Sequence, residues 1–207
     1  MNKEGSTFFI VRHGETDWNA RRLLQGQTDI PLNKKGEDQA REVAAQLEDV
    51  HFDAIFSSDL LRERQTAEFI AEERQMVVET NEMLREQHFG DSQGKTVEEF
   101  LQLFTQWKEL SEEEKAHYTV GEGMESNEQA VTRLITILHE LGSAYRGKTV
   151  LIVAHGGIMR YLLVKLGVGS LAEPLFMKNT GYIKLTSDGL DFTIEEINGT
   201  EDRKRND

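Results

Sequence analysis

The sequence predicts an α/β protein, a three-layer sandwich with a mainly parallel central sheet and helices on both faces. Two observations point there first. Residues 8–11 (FFIV) and 150–154 (VLIVA) are unbroken apolar runs rather than alternating ones, the pattern of strands buried on both faces. Both runs end in histidine followed by glycine. Between them, short apolar segments alternate with stretches of helical period, the order expected of strands joined by crossover helices.

The first strand, residues 8–11, stops abruptly at Arg12, His13 and Gly14. Ligands of open α/β sheets sit beyond the carboxyl ends of strands, so these residues stand where a ligand would be. Arg12 offers a planar fork suited to phosphate, and Gly14 lets the chain turn or a ligand approach closely. With an ordinary pKa of about 6.5, His13 is largely uncharged at neutral pH, and one ring nitrogen could attack phosphorus. Taken by itself, a histidine at a strand end reads more readily as a structural residue.

Residues 21–31 (RRLLQGQTDIP) are polar and punctuated by glycine and proline, hence a loop. Asn33 caps the helix that follows, in which Ala40, Val43, Ala44 and Leu47 recur at helical spacing. Residues 52–57 form a second strand, and 59–74 a helix with a serine-aspartate start. Arg62 lies in its first turn, where helix amides favour an anion, although Arg62 and Arg64 beside Glu63 and Glu68 also read as solvated charges. Residues 76–79 give a short third strand. Residues 84–94 are a loop whose interest is Glu86, a possible proton donor that alone would read as a surface charge.

Residues 96–107 suit a helix with Val97, Phe100, Leu101 and Phe104 on one face, and the acidic run Glu112 to Glu114 follows. This stretch, about residues 95–125, reads as a helical insertion that flanks or covers the site. Ser126 and Gln129 form a capping box for a long helix carrying Ala130, Leu134, Leu138, Leu141 and Tyr145, and Gly147 ends it. Residues 148–155 (KTVLIVAH) are the strongest strand and deliver His155, Gly156 and Gly157 to another helix. Residues 182–186 and 192–197 alternate as a closing strand pair, and 199–207 read as a frayed tail. The expectation is one domain spanning residues 1–207.

A formal charge of −13 repels nucleic acid and anionic membranes, so neither is expected as a partner, and a phosphate site must be a local basic pocket. The absence of cysteine excludes disulfides and thiolate metal sites. The apolar run near the amino terminus is too short for a signal peptide, and no stretch of about 18 apolar residues occurs, so a cytoplasmic location is expected. The oligomeric state is left open, because a solvent-facing edge and an interface edge read alike.

Together, RHGETDWN at 12–19, QGQTDIPLNKKG at 25–36, SSDLLRERQTA at 57–67, LREQHFG at 84–90 and AHGG at 154–157 resemble the histidine phosphatase superfamily, the phosphoglycerate mutase-like family. The resemblance implies that His13 is the nucleophile that becomes phosphohistidine. It implies that Arg12, Arg62 and His155 form the phosphate pocket and that Glu86 is acid and base. Asn19, Gln25, Gly26 and Gly156 match positions that hold phosphate or orient the pocket. GEGMES at 121–126 resembles the family's segment ahead of the long helix. Many relatives read Asp-Trp-Glu-Gly after the acid, whereas this chain has Asp91, Ser92, Gln93 and Gly94, a change expected to alter the substrate wall.

What the resemblance implies is a phosphatase for a small phosphorylated metabolite, with no cofactor and no metal, since the histidines show no ligand spacing with carboxylates along the chain. Cofactor-dependent mutase activity is the alternative. It is disfavoured because residues 86–126 contain only Lys95, Lys108 and Lys115 as lysines and no arginine, few cations to retain a bisphosphate. A noncatalytic phospholigand-binding module is a further alternative, which would need no nucleophile and acid together.

Overall fold

The computed structural model describes residues 5–201. A six-stranded sheet forms the middle layer from β1 (Ser6–Arg12), β2 (Ala54–Ser57), β3 (Val78–Thr80), β4 (Thr149–Ala154), β5 (Phe176–Ser187) and β6 (Phe192–Glu201), in the order β3-β2-β4-β1-β5-β6. The first four run parallel; β5 pairs antiparallel with β1, and β6 antiparallel with β5. The helices are α1 (Asp17–Ala20), α2 (Lys34–Gln46), α3 (Leu61–Glu72), α4 (Val97–Leu101), α5 (Glu112–His117), α6 (Asn127–Ala144) and α7 (Gly156–Lys165).

The apolar runs make the layers. Side chains alternate across a strand, so Phe8, Ile10, Val150 and Ile152 pack with Leu134, Leu138, Ile158 and Leu162 of α6 and α7. Phe9, Val11, Leu151 and Val153 pack on the opposite face with Val43, Ala44, Ala67 and Ile70 of α2 and α3. Each half of a run therefore serves a different helix layer, and the run must be apolar throughout.

That division also locates the crevice. β1 and β4 are neighbours, yet the helices that follow them, α2 and α7, lie on opposite faces. The chain parts between these two strand ends, the place where open sheets leave room for a ligand. Register brings the ends level, with Arg12 opposite Ala154.

Several sequence expectations are corrected. The helix expected at 59–74 starts at Leu61, and Asp59 does not cap it. Asp59 pairs with Arg85, while the Leu61 N–H donates to the carboxylate of Asp29 at 2.6 Å. The helix expected at 96–107 is continuous only over α4, followed by turns and a 3₁₀ turn at Trp107–Glu109. Leu101, expected on the packed face, is 55% exposed. Edge-to-face contacts link Phe89, Phe100, Phe104 and Trp107, and Tyr118 meets the last two, so aromatic packing replaces helix continuity there. The closing strands are longer than expected: β6 reaches Glu201, into the segment read as a frayed tail, and residues 202–207 lie outside the described residues. Capping boxes at Thr96, Ser111 and Ser126 start α4, α5 and α6. No helix among the described residues is long and apolar enough to cross a membrane.

The turn after β1 is pressed against the start of α2. A methyl group at Gly14 would lie 2.4 Å from the Gly36 carbonyl oxygen, and one at Gly36 would lie 2.0 Å from that of Glu15. Both neighbours are backbone and cannot swing away. Gly14→Ala and Gly36→Ala should each lower stability by about 1–3 kcal/mol, the usual cost of overpacking, measured as a fall in the denaturation midpoint.

Candidate active site

The carboxyl ends of β1 and β4 present Arg12, His13 and His155 side by side. The His13 backbone N–H donates to the Ala154 carbonyl at 3.1 Å, extending the strand pairing by one residue. The two imidazole rings meet edge-on with centroids 5.7 Å apart, both buried.

Ring partners set the tautomers. Nδ1 of His13 lies 2.7 Å from the Gly14 carbonyl oxygen, which can only accept, so Nδ1 carries the hydrogen and Nε2 the lone pair. Nη2 of Arg62 lies 3.0 Å from Nδ1 of His155. A guanidinium can only donate, so Nδ1 accepts from it and the ring hydrogen of His155 is on Nε2, any proton in the 2.7 Å contact between Nδ1 and Glu63 Oε1 then being carried by Glu63. Nε2 of His155 is buried without a hydrogen-bond partner among the described residues. Burial holds both histidines well below the usual imidazole pKa, with Arg62 adding to the effect, and both are neutral near pH 7.

Arg62 is not the solvated charge its neighbours in sequence suggest. It is 1% exposed, and its guanidinium donates at 2.8 Å to the carbonyl of Gly26 and at 2.8 Å to that of Thr28. Gly26 presents its carbonyl from a left-handed conformation, φ +51°, which favours glycine. Arg12 donates to the Met177 carbonyl on β5 and passes over Gly156, where a methyl group would lie 2.9 Å from its Nε. Gly156 thus supplies room for the arginine.

Glu86 reaches the start of α7. Its carboxylate accepts from the backbone N–H groups of Gly157 at 2.8 Å, Ile158 at 3.0 Å and Gln87 at 2.8 Å. Helix amides that lack an internal partner hold the Glu86 carboxylate in place. Asn19 and Gln25 sit one step out. The Thr16 hydroxyl donates to Oε1 of Gln25 at 2.9 Å and accepts from the Asn19 N–H at 3.1 Å, while the Thr16 N–H donates to Oδ1 of Asn19 at 3.2 Å, which closes the capping box of α1. These two brace the turn after His13.

Four contributors were not singled out from the sequence, and a fifth, Gln93, was expected in the substrate wall instead. Asn179 donates to the His13 carbonyl at 2.9 Å. Thr66 accepts from the Gly14 N–H at 3.0 Å. Arg133 of α6 donates to the carbonyls of Met83, Arg85 and Glu86 and pairs with Glu125, tying down the loop that carries Glu86. Gln93 accepts from the Gln27 N–H at 2.8 Å and lies against Gly26, so this departure from the family pattern braces the loop that holds Arg62. Glu63 is fully buried between the histidines. The capping box at Ser126, the last residue of the GEGMES segment, was a sequence signal near these supports.

His13, Glu63 and His155 place ligand atoms within 4.8 Å of one another, a grouping that spacing along the chain did not reveal. The Arg62 guanidinium already lies 3.0 Å from Glu63 Oε1 and 3.0 Å from His155 Nδ1. A divalent ion would have to sit against that fixed positive charge, so the grouping is poorly suited to a metal.

A three-layer sandwich with paired histidines and buried arginines at a strand-end crevice belongs to the phosphoryl-handling class of α/β proteins. A family model described as histidine phosphatase superfamily (branch 1) matches residues 8–200. The chain is 37% identical over 160 residues to an uncharacterized phosphatase, PhoE, of Bacillus subtilis, covering 77% of each chain. It is 35% identical over 166 residues to a probable phosphoglycerate mutase, GpmB, of Serratia proteamaculans, covering 80% of this chain and 77% of the other. A phosphoserine phosphatase from Entamoeba histolytica, solved with 3-phosphoglyceric acid, superposes with a TM-score of 0.79 at 30% identity, covering 95% of this chain and 98% of that one. A mycobacterial glucosyl-3-phosphoglycerate phosphatase superposes with a TM-score of 0.79 at 27% identity, covering 94% and 99%. The chain belongs to the histidine phosphatase superfamily, and its enzyme class is phosphoric monoester hydrolase.

Arg133 provides a test of the support behind Glu86. Arg133→Ala removes donors to three carbonyls in one loop, and a catalytic group displaced by about 1 Å can lose on the order of a hundredfold in rate. The expected result is a fall of that order in kcat, well beyond what the accompanying loss of folded protein explains, measured by steady-state kinetics beside a thermal melt.

Proposed function

We propose that the protein is a metal-independent phosphatase that hydrolyses small phosphate monoesters through a phosphohistidine on His13. The observation that carries this reading is the His13 tautomer: with its hydrogen on Nδ1 and bound to Gly14, the lone pair is at Nε2 and available to phosphorus. The ester's non-bridging oxygens lie against Arg12, Arg62 and the Nε2–H of His155, whose charges and dipoles stabilise the transition state. Asn19, Gln25, Gly26 and Gly156 shape the pocket around them.

Nε2 attacks in line, a P–N bond forms as the ester P–O bond breaks, and Glu86, which enters the step as the carboxylic acid, passes its proton to the leaving oxygen. Water then attacks phosphohistidine while the Glu86 carboxylate takes its proton. Inorganic phosphate leaves and His13 is restored. Charge near the site supports water as acceptor over a second substrate hydroxyl. Of the three lysines in residues 86–126, Lys115 is buried and paired with Glu112, which leaves little to retain a bisphosphate. Relatives with phosphoserine and glucosyl-3-phosphoglycerate phosphatase in their names support a small phosphorylated metabolite as substrate. The mutase name of one relative favours phosphoryl transfer as the second reading.

The test is phosphate release from p-nitrophenyl phosphate and a panel of phosphoserine, sugar and phosphoglycerate esters. Release should be unchanged by EDTA and should fall on the order of a thousandfold or more in His13→Ala. Interconversion of 2- and 3-phosphoglycerate without phosphate release would favour the mutase reading. Protonation of His13 removes its lone pair, and burial with Arg62 and Arg12 holds its pKa below the ordinary value. The acid limb of kcat/KM should therefore lie below about pH 6.5, with activity retained through the range in which a free histidine becomes charged.

A further inference from the structure

Glu63 is a buried carboxyl group in the pocket that the reaction above does not use. It is 0% exposed, and its close polar contacts all converge on Oε1. Oε1 lies 2.7 Å from Nδ1 of His155, 3.0 Å from Nε of Arg62 and 3.5 Å from Nε2 of His13.

The two histidine atoms facing Oε1 both carry lone pairs, because His13 donates through Nδ1 and His155 accepts from Arg62 at Nδ1. An ionised Glu63 would set a negative charge against both, 3.5 Å from the nitrogen that takes the phosphoryl group, and would occupy the Arg62 guanidinium, 3.0 Å away, that the phosphate also needs. Burial leaves that charge weakly screened, so a phosphate dianion arriving there meets an anion already in place.

We propose that the pocket accepts a phosphate dianion only with a proton on the Glu63–His155 contact, so that Glu63 links phosphate binding to proton binding. The inference rests on the phosphatase reading and assigns its phosphate site a second ligand, the proton. Every charged neighbour enters the balance. Arg62 from α3 stabilises the ionised carboxyl; Glu86 and Asp29, from the loops, oppose it. Arg12 and His13 at the end of β1, Arg62, and Arg133 from α6 oppose a charge on His155. Burial outweighs these for Glu63 and pushes its carboxyl well above the usual range, while His155 is pushed down. In the empty pocket the shared proton thus lies on Glu63, and it is lost as pH rises.

The sign follows from linkage. Phosphate favours the protonated pair, so affinity is constant at lower pH and falls by about tenfold per pH unit once the free pair deprotonates. Tungstate is a suitable probe: a tetrahedral dianion that carries no exchangeable proton at neutral or alkaline pH and needs no turnover. Titration calorimetry with wild-type protein should show this fall and, in buffers of different ionisation enthalpy, uptake of about one proton on the alkaline side. Glu63→Gln keeps the shape and removes the titration. It should show no uptake, a flat pH profile, and tungstate binding at least about tenfold tighter than wild type at the alkaline end. Glu86→Gln should keep the slope and the proton uptake, with the fall displaced to lower pH because a charge that opposes ionisation of Glu63 is gone.

A wild-type profile that is flat with no proton uptake overturns the inference, whatever the variants do. So does a Glu63→Gln profile that keeps the wild-type slope, or uptake lost in Glu86→Gln instead. Glu63→Ala replaces Glu63→Gln if the amide fails to fold. Failure of tungstate to bind at any pH overturns the phosphatase reading and this inference with it, whereas binding without proton uptake overturns this inference alone.

Discussion

The parallel pairing of β1 with β4 is the constraint on which the rest of the structure depends. Arg12 opposite Ala154, with the His13 N–H on the Ala154 carbonyl, leaves no freedom in how the two histidines sit. A slip of one residue would send every side chain of the strand to the other face, exchanging the residues that pack on α2 and α3 with those that pack on α6 and α7. The histidine pair therefore inherits its precision from the same burial that holds the sheet together.

Around that pair the charges are fixed largely by backbone. Arg62 has its guanidinium on two loop carbonyls, Arg12 has one on β5, and Glu86 has three backbone amides. Burying a charge is costly unless its hydrogen bonds are supplied, and backbone groups supply them without side-chain entropy. Such a site is set before substrate arrives, so little reorganisation is left for the reaction itself. The same low-dielectric surroundings make Glu63 consequential, because one proton there changes the charge of the pocket.

Residues 97–118 follow different rules. The α4–α5 region is short helices and turns joined by ring contacts, with Leu101 and Leu103 exposed. Here the packing unit is a cluster of aromatic edges rather than a helix stripe, and sequence period is a weak guide to it. Gln93 belongs to the inner support instead, bracing residues 26–28 beneath Arg62.

Local patterns in the sequence determined the layers of the fold. The unbroken runs ending at His13 and His155, the Asn33 cap and the Ser126 capping box act within a few residues and appear where their patterns lie. The same local logic picked out Arg12, His13 and His155, because a strand end in such a sheet is a known place for a ligand. Tertiary structure alone decided what burial and long-range pairing control. Adjacent in sequence, Arg62 and Glu63 read as one solvated ion pair, yet both are enclosed between strand ends contributed by distant parts of the chain. The supports from Asn179 and Arg133 likewise cross long sequence separations to reach their carbonyls. No local pattern encodes such contacts, since charge and protonation in this site depend on which distant residues exclude water from it.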